Sequence, residues 1–291
     1  MSTSFSFEEL AGAEACFAAA SRLLYVEPSV EEVAAQVTSR LFANAPFAAD
    51  DPAARAGLGR MDAWCADALI EFEESAAPVE ISSELDASDG ISSDSVEVAG
   101  GDPGATAPVT PAAPAVPVDP AALAASPLFG ERVGALQREW LRLFAGVGAP
   151  EASCLESFYV EPNRHMFGKS TLAVREAYRA HGLQIERLHS EPDDHLGLML
   201  GFVSHLVDEE LAALETEDAA AAETAARDQE RFLVEHVLPW LAVWRYLVKT
   251  HATSDYYLGA GDFVFGLVSR YVTRFGIFYD EEAEAFKRRA A

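Results

Sequence analysis

Apolar residues along this chain recur at intervals of three and four, the spacing that gathers them on one face of an α-helix. Val30, Val33, Val37 and Leu41 form one such stripe, headed by Ser29-Val30-Glu31-Glu32. The Ser29 hydroxyl is placed to accept from the amide three residues on while Glu32 reaches back, which predicts a capping box. Leu58, Met61, Cys65, Leu69 and Phe72 form the next stripe, behind Asp50-Asp51-Pro52, which offers acidic caps and a proline suited to a first turn. Val133, Leu136, Trp140, Leu143 and Phe144 repeat the pattern. A further helix over residues 172–178 ends at His181-Gly182, where glycine suits the left-handed C-cap.

The second half predicts a helix over residues 192–214, with Leu196, Met199, Val203, Leu206, Leu211 and Leu214 turned inward. Residues 221–250 and 256–275 read as helical too, and Pro239 should kink or break the first of these because it lacks an amide donor and crowds the preceding turn. Sustained period-two alternation is absent. The expected class is all-α, a helical bundle of two subdomains.

Residues 75–127 break the pattern. They hold eight acidic residues, no Lys or Arg and no aromatic residue, and they end in a proline-rich run over 110–120. Such a stretch buries too little apolar surface to offset the entropy of ordering, so a disordered acidic insert with a semi-extended end is expected. The chain then divides into helical parts at 1–74, 128–190 and 191–291 around the insert at 75–127.

Half of the 291 residues are apolar, which is ample for a core without disulfides or a structural metal. The 21 Lys and Arg against 47 Asp and Glu give a formal charge of −26, which repels a phosphate backbone or an anionic membrane. Nucleic acid is not an expected partner; a partner carrying positive charge is. Cys16, Cys65 and Cys154 are widely spaced and form no Cys-x-x-Cys pair, so they read as apolar fillers in a reducing compartment. No basic residue falls in the first twenty, so no secretory signal is expected, and no apolar run is long and charge-free enough to span a bilayer. A cytoplasmic protein is expected.

The densest polar cluster is Glu191-Pro192-Asp193-Asp194-His195, at the entrance to the helix expected from residue 192. It supports three readings. As structure, Pro192 fills a first turn, the acids complement the helix dipole and His195 bonds a nearby carbonyl. As function, carboxylates and an imidazole present acceptors for a guanidinium or a pH-sensitive hinge. As a metal-dependent or nucleotide hydrolase, Asp194 and His195 would join His205 and Asp208; yet His195 and His205 lie about 100° out of phase on a 3.6-residue helix. The run Phe167-Gly168-Lys169-Ser170 lacks the first glycine of a phosphate-binding loop and reads instead as a turn before a helix, with Ser170 as cap. Trp64, Trp140, Trp240, Trp244, Tyr256, Tyr257, Phe263 and Phe265 sit at core spacing.

Together these elements resemble a known family. Glu191-Pro192-Asp193-Asp194-His195, preceded by Tyr178-Arg179-Ala180-His181-Gly182-Leu183 and followed by a long apolar helix, is similar to the Glu-Pro-x-Asp-His signature of the TorD/DmsD family of redox-enzyme maturation chaperones. Glu156-Ser157-Phe158-Tyr159 looks like that family's Glu-Ser-x-Tyr element. The run from Phe232 through His236 to Trp240 looks like its Phe-x-x-x-His-Leu-x-x-Trp element. The resemblance extends over about residues 149–271; Met199 stands where the family often carries Glu, and the acidic insert is atypical.

The resemblance implies an all-helical cytoplasmic chaperone with no catalytic activity and no cofactor of its own. Such chaperones bind the twin-arginine signal peptide, or the apo form, of a molybdenum-containing oxidoreductase and delay its export by the Tat pathway until the cofactor is inserted. They occur as monomers and as domain-swapped homodimers. Carried over by residue, the peptide-binding positions are Glu191, Pro192, Asp193, Asp194 and His195, with Tyr159. The chemistry agrees: two guanidiniums ahead of an apolar run call for carboxylates beside an apolar groove. The rival to this reading among binding proteins is a structural adaptor acting through the acidic insert.

Overall fold

The first turn of each helix shows how local chemistry sets the architecture in the computed structural model, which describes residues 5–76, 117–146, 148–161, 167–185 and 192–289. Helix α1 (Phe7–Tyr25) opens on a full capping box: the Ser6 hydroxyl accepts from the Glu9 amide, and the Glu9 carboxylate accepts from the Ser6 amide. Helix α2 (Val30–Ser39) opens on half of one. Ser29 accepts from the Glu32 amide as expected, but Glu32 pairs with Arg22 of α1 instead of reaching back. Helix α3 (Pro52–Ala76) starts at the expected proline, with the Asp51 carboxylate accepting from the amides of Ala53 and Ala54.

The chain continues in α4 (Pro120–Ala124) and α5 (Pro127–Trp140), which closes in a π-turn over Leu141–Ala145. The expected insert is therefore too long at both ends. Helix α3 carries the body through Ala76, and Asp119 caps α4, whose Leu123 is fully buried. Leu123, with Val118 and Ala124 packed against the core beside it, brings that end of the proline-alanine run into the body; residues 77–116 lie outside the described residues.

Next come α6 (Glu156–Val160), α7 (Lys169–Ala180), α8 (Leu196–Glu215) and α9 (Ala219–Phe232). A second π-turn, Leu233–Val237, leads into α10 (Leu238–His251). Pro239 breaks the helical run as its chemistry predicts, and it sits in the first turn of α10 where no amide donor is needed. Gly182, at φ +72°, terminates α7 in the left-handed conformation, with its amide and that of Leu183 donating to Arg179 and Tyr178.

Helix α11 (Asp255–Val272) is followed by a short antiparallel hairpin of β1 (Ile277–Asp280) and β2 (Ala285–Arg288). The hairpin is a small addition to the all-α fold that the helical pattern did not announce.

Packing joins distant parts of the chain. Helix α1 lies on α8 and α3 lies on α11, so the segments expected at 1–74, 128–190 and 191–291 share one continuous core. Trp240, Trp244, Tyr256, Tyr257 and Tyr271 are fully buried within it. The α3–α11 crossing is close enough that a Cβ on Gly57 would strike the backbone of Gly259 and Phe263. All three cysteines are free and buried, and burial pushes the Cys16 thiol up to about 11 and that of Cys65 to about 12. They are thus protonated and unreactive near neutrality. Among the described residues no helix is long and apolar enough to cross a membrane.

Candidate functional site

Two short helices lack a side chain of their own at the cap, and the acidic loop before α8 supplies one of the missing acceptors. Leu155, the residue ahead of α6, cannot cap it; the Asp194 carboxylate does so from across the chain, accepting from the Ser157 amide at 2.8 Å. Its other oxygen accepts from the Thr171 hydroxyl of α7 at 2.8 Å, and its carbonyl accepts from the Glu156 amide. Gly168 likewise cannot cap α7. The Glu161 carboxylate takes the Ser170 amide at 3.0 Å, which holds that carboxyl below its ordinary range. Ser170, expected as the cap, lies inside the helix.

Asp193 turns inward beside it. Arg175 of α7 donates to one Asp193 oxygen from Nε and Nη2, at 3.1 and 2.7 Å, and the Tyr178 hydroxyl donates to the Asp193 carbonyl. Asp193 and Asp194 are 1% and 0% exposed. Burial beside both carboxylates pushes the Tyr178 phenol well above its usual value.

The helix expected from residue 192, with Pro192 in its first turn, begins at Leu196 with His195 as its cap: its Nδ1 accepts from the Gly197 amide at 3.1 Å. Leu155 and His195 pair as an antiparallel bridge, which fastens the loop to the chain ahead of α6, and the His195 ring stands edge-on to Tyr25. Glu191 lies outside the described residues.

Tyr159 and His236 support this unit from behind. The Tyr159 ring stacks on Trp240 with centroids 4.8 Å apart, and its hydroxyl donates to the Ser153 carbonyl. Glu156 is buried against His236, 3.1 Å from its Nδ1, and desolvation raises the Glu156 carboxyl, with the His236 contact opposing. A carboxyl raised on folding favours the native state while protonated, and it loses that contribution as pH rises through its folded value. Glu156→Gln keeps a hydrogen-bonding partner for His236 without a charge. The variant should therefore gain thermal stability relative to the native protein as pH rises from the ordinary carboxylate range toward neutrality, read by melting curves across that range. A difference that shrinks with rising pH would contradict this.

In front of the loop lies an open groove of about 1200 Å³. Pro192 and His195 line it, together with Tyr25, Trp140, Leu155, Tyr178, Leu198 and Phe202, whereas Asp193, Asp194 and Tyr159 do not. Trp140, read as core from its spacing, is half-buried on the groove wall and donates its Nε1–H to the Leu24 carbonyl. The hydrolase constellation is not assembled. Asp194 is committed to Ser157 and Thr171, His205 pairs with Glu209, and among the described residues no three His, Cys, Asp or Glu side chains are grouped to hold a metal.

Sequence reasoning missed Arg175. Its signal was present: Thr171, Val174, Arg175 and Tyr178 share the inward face of α7, and an arginine on that face requires a buried carboxylate.

Residues 130–245 match the family described as nitrate reductase delta subunit. The chain is 36% identical over 74 residues to the chaperone protein TorD of Vibrio cholerae, covering 25% of this chain and 32% of that protein. It is 28% identical over 126 residues to the Tat proofreading chaperone DmsD of Salmonella typhimurium, covering 43% and 55%. With a probable Tat proofreading chaperone DmsD of Haemophilus influenzae it shares 27% identity over 122 residues. Over these portions the chain is similar to the TorD and DmsD chaperones. Its matched portions span about a third of the TorD relative and about half of the DmsD relatives. The span matching the family model holds the Asp193–His195 loop, Arg175, Glu156 and Trp240. It omits α1 to α3, so one wall of the groove, at Tyr25, comes from outside the span that matches the family model.

Proposed function

We propose that the chain is a cytoplasmic maturation chaperone, without catalytic activity, that holds a molybdenum-containing oxidoreductase in its apo form by the twin-arginine signal peptide until cofactor insertion and Tat export. The observation that carries this reading is the groove of about 1200 Å³ built directly on the family's signature loop. In it, Pro192 and His195 contact the peptide; Glu191 precedes Pro192 in the sequence. Asp193 and Asp194 act as positioning groups that hold the loop against α6 and α7, and Tyr159 braces α6 against Trp240.

The groove's chemistry suits the apolar run of such a peptide better than its charges. Burial of apolar surface contributes about 25 cal/mol per Å², and an apolar segment of several residues thereby offsets the entropic cost of association. Calorimetric titration of the full chain with a peptide bearing an arginine pair and an apolar run should show binding in the micromolar range, ~−8 kcal/mol. Two aspartates placed in the apolar run should abolish it. His195→Ala should weaken binding about tenfold, ~1.4 kcal/mol, with helicity by circular dichroism retained. Absence of binding by the folded native protein would sink the reading.

A further inference from the structure

We propose that Glu27 is the carboxylate that receives a basic side chain of the bound peptide and sets the chain's preference for a guanidinium; this rests on the groove being the peptide site. Among the described residues that line the groove, Glu27 alone carries a carboxylate. Asp193 and Asp194 cannot serve in its place without giving up Arg175, Thr171 and Ser157, and both are sealed from the groove by burial.

Glu27 is exposed, and no described residue is hydrogen-bonded or ion-paired to its carboxylate. Its backbone is nonetheless fixed from both sides. Trp140 donates to the Leu24 carbonyl at 3.2 Å and Gln137 donates to the Pro28 carbonyl at 2.9 Å, so α5 clamps the segment that presents Glu27. The segment follows the C-terminal end of α1, whose dipole is negative there and adds to the attraction for a cation. The nearest basic side chain on that helix, Arg22, is already paired with Glu32. An anchored carboxylate on the rim of an apolar groove complements a peptide in which a cation sits beside an apolar run. Glu27 lies outside residues 130–245, the span that matches the family model.

Fluorescence anisotropy on the full chain tests it, with three peptides of one apolar run preceded by Arg-Arg, Gln-Gln or Glu-Glu. The native protein should bind Arg-Arg about fivefold more tightly than Gln-Gln at low salt, the scale of an exposed charge pair, and the gap should close as salt rises. Glu27→Gln should bind both peptides equally, and Glu27→Lys should prefer Glu-Glu. Retention of the arginine preference by Glu27→Gln, or its absence from a native protein that binds all three peptides, overturns the role of Glu27 while leaving the groove in place. Failure of the native protein to bind any of them overturns both.

Discussion

Arg175→Ala is expected to lower the free energy of unfolding by about 3–5 kcal/mol. The substitution leaves the Asp193 carboxylate buried with its charge and without the two guanidinium donors that satisfy it. Asp193→Ala should cost a comparable amount for the converse reason. Replacing both by apolar residues of similar volume, Arg175→Met with Asp193→Leu, should cost much less than the sum, because neither charge is then stranded. Urea unfolding followed by circular dichroism reads all four proteins. A near-additive double variant, or an Arg175→Ala protein as stable as the native one, would show that the pair is not the lock that holds the loop to α7. Because the same loop forms the floor of the groove, variants of Asp193 and Asp194 report folding as well as binding, and His195 is the cleaner probe of the site.

Gly57→Ala should cost about 3 kcal/mol, at the upper end of overpacking effects. The added methyl meets main-chain atoms of Gly259 and Phe263 on α11, not the tip of a side chain that could swing aside. Gly59, two residues along the same helix, has open space where its Cβ would be. Gly59→Ala should therefore stabilise by about 0.5–1 kcal/mol through helix propensity alone. Opposite signs at two glycines of one helix isolate the close crossing from any general property of α3. Equal effects in thermal unfolding would remove the crossing as a determinant.

The helical fold was legible because most of its helices announce themselves by stripe and cap. Asp51 and Pro52 start α3, Gly182 ends α7 and Pro239 divides α9 from α10 for the reasons their chemistry supplies. What stayed hidden depends on partners far along the chain. Glu32 abandons its cap for Arg22, Asp194 caps a helix 37 residues away, and His195 caps α8, which starts at Leu196 and not with Pro192 in its first turn. The signature loop was found from its residues, but its carboxylates were read as surface acceptors. Only Arg175, on the inward face of α7, reveals that Asp193 is inside. Glu27 carried no signal at all, since nothing local marks the residue after a helix as the rim of a groove closed by α5 and α8.

The pairing of α1 with α8 and of α3 with α11 also bears on how the chain is made. Its principal contacts have high contact order, and the apolar faces of α1 and α3 find their partners only after α8 and α11 have been synthesised. At translation rates of ~5–20 residues per second, the interval between completing α3 and completing α11 is roughly 10–40 s. Within it, α1 lacks its main partner until α8 is made, and α3 lacks its own until α11 is made. The chain thus completes its own fold only once α11 has been made, and it passes through the same exposed, unfinished stage in which its proposed client would be held.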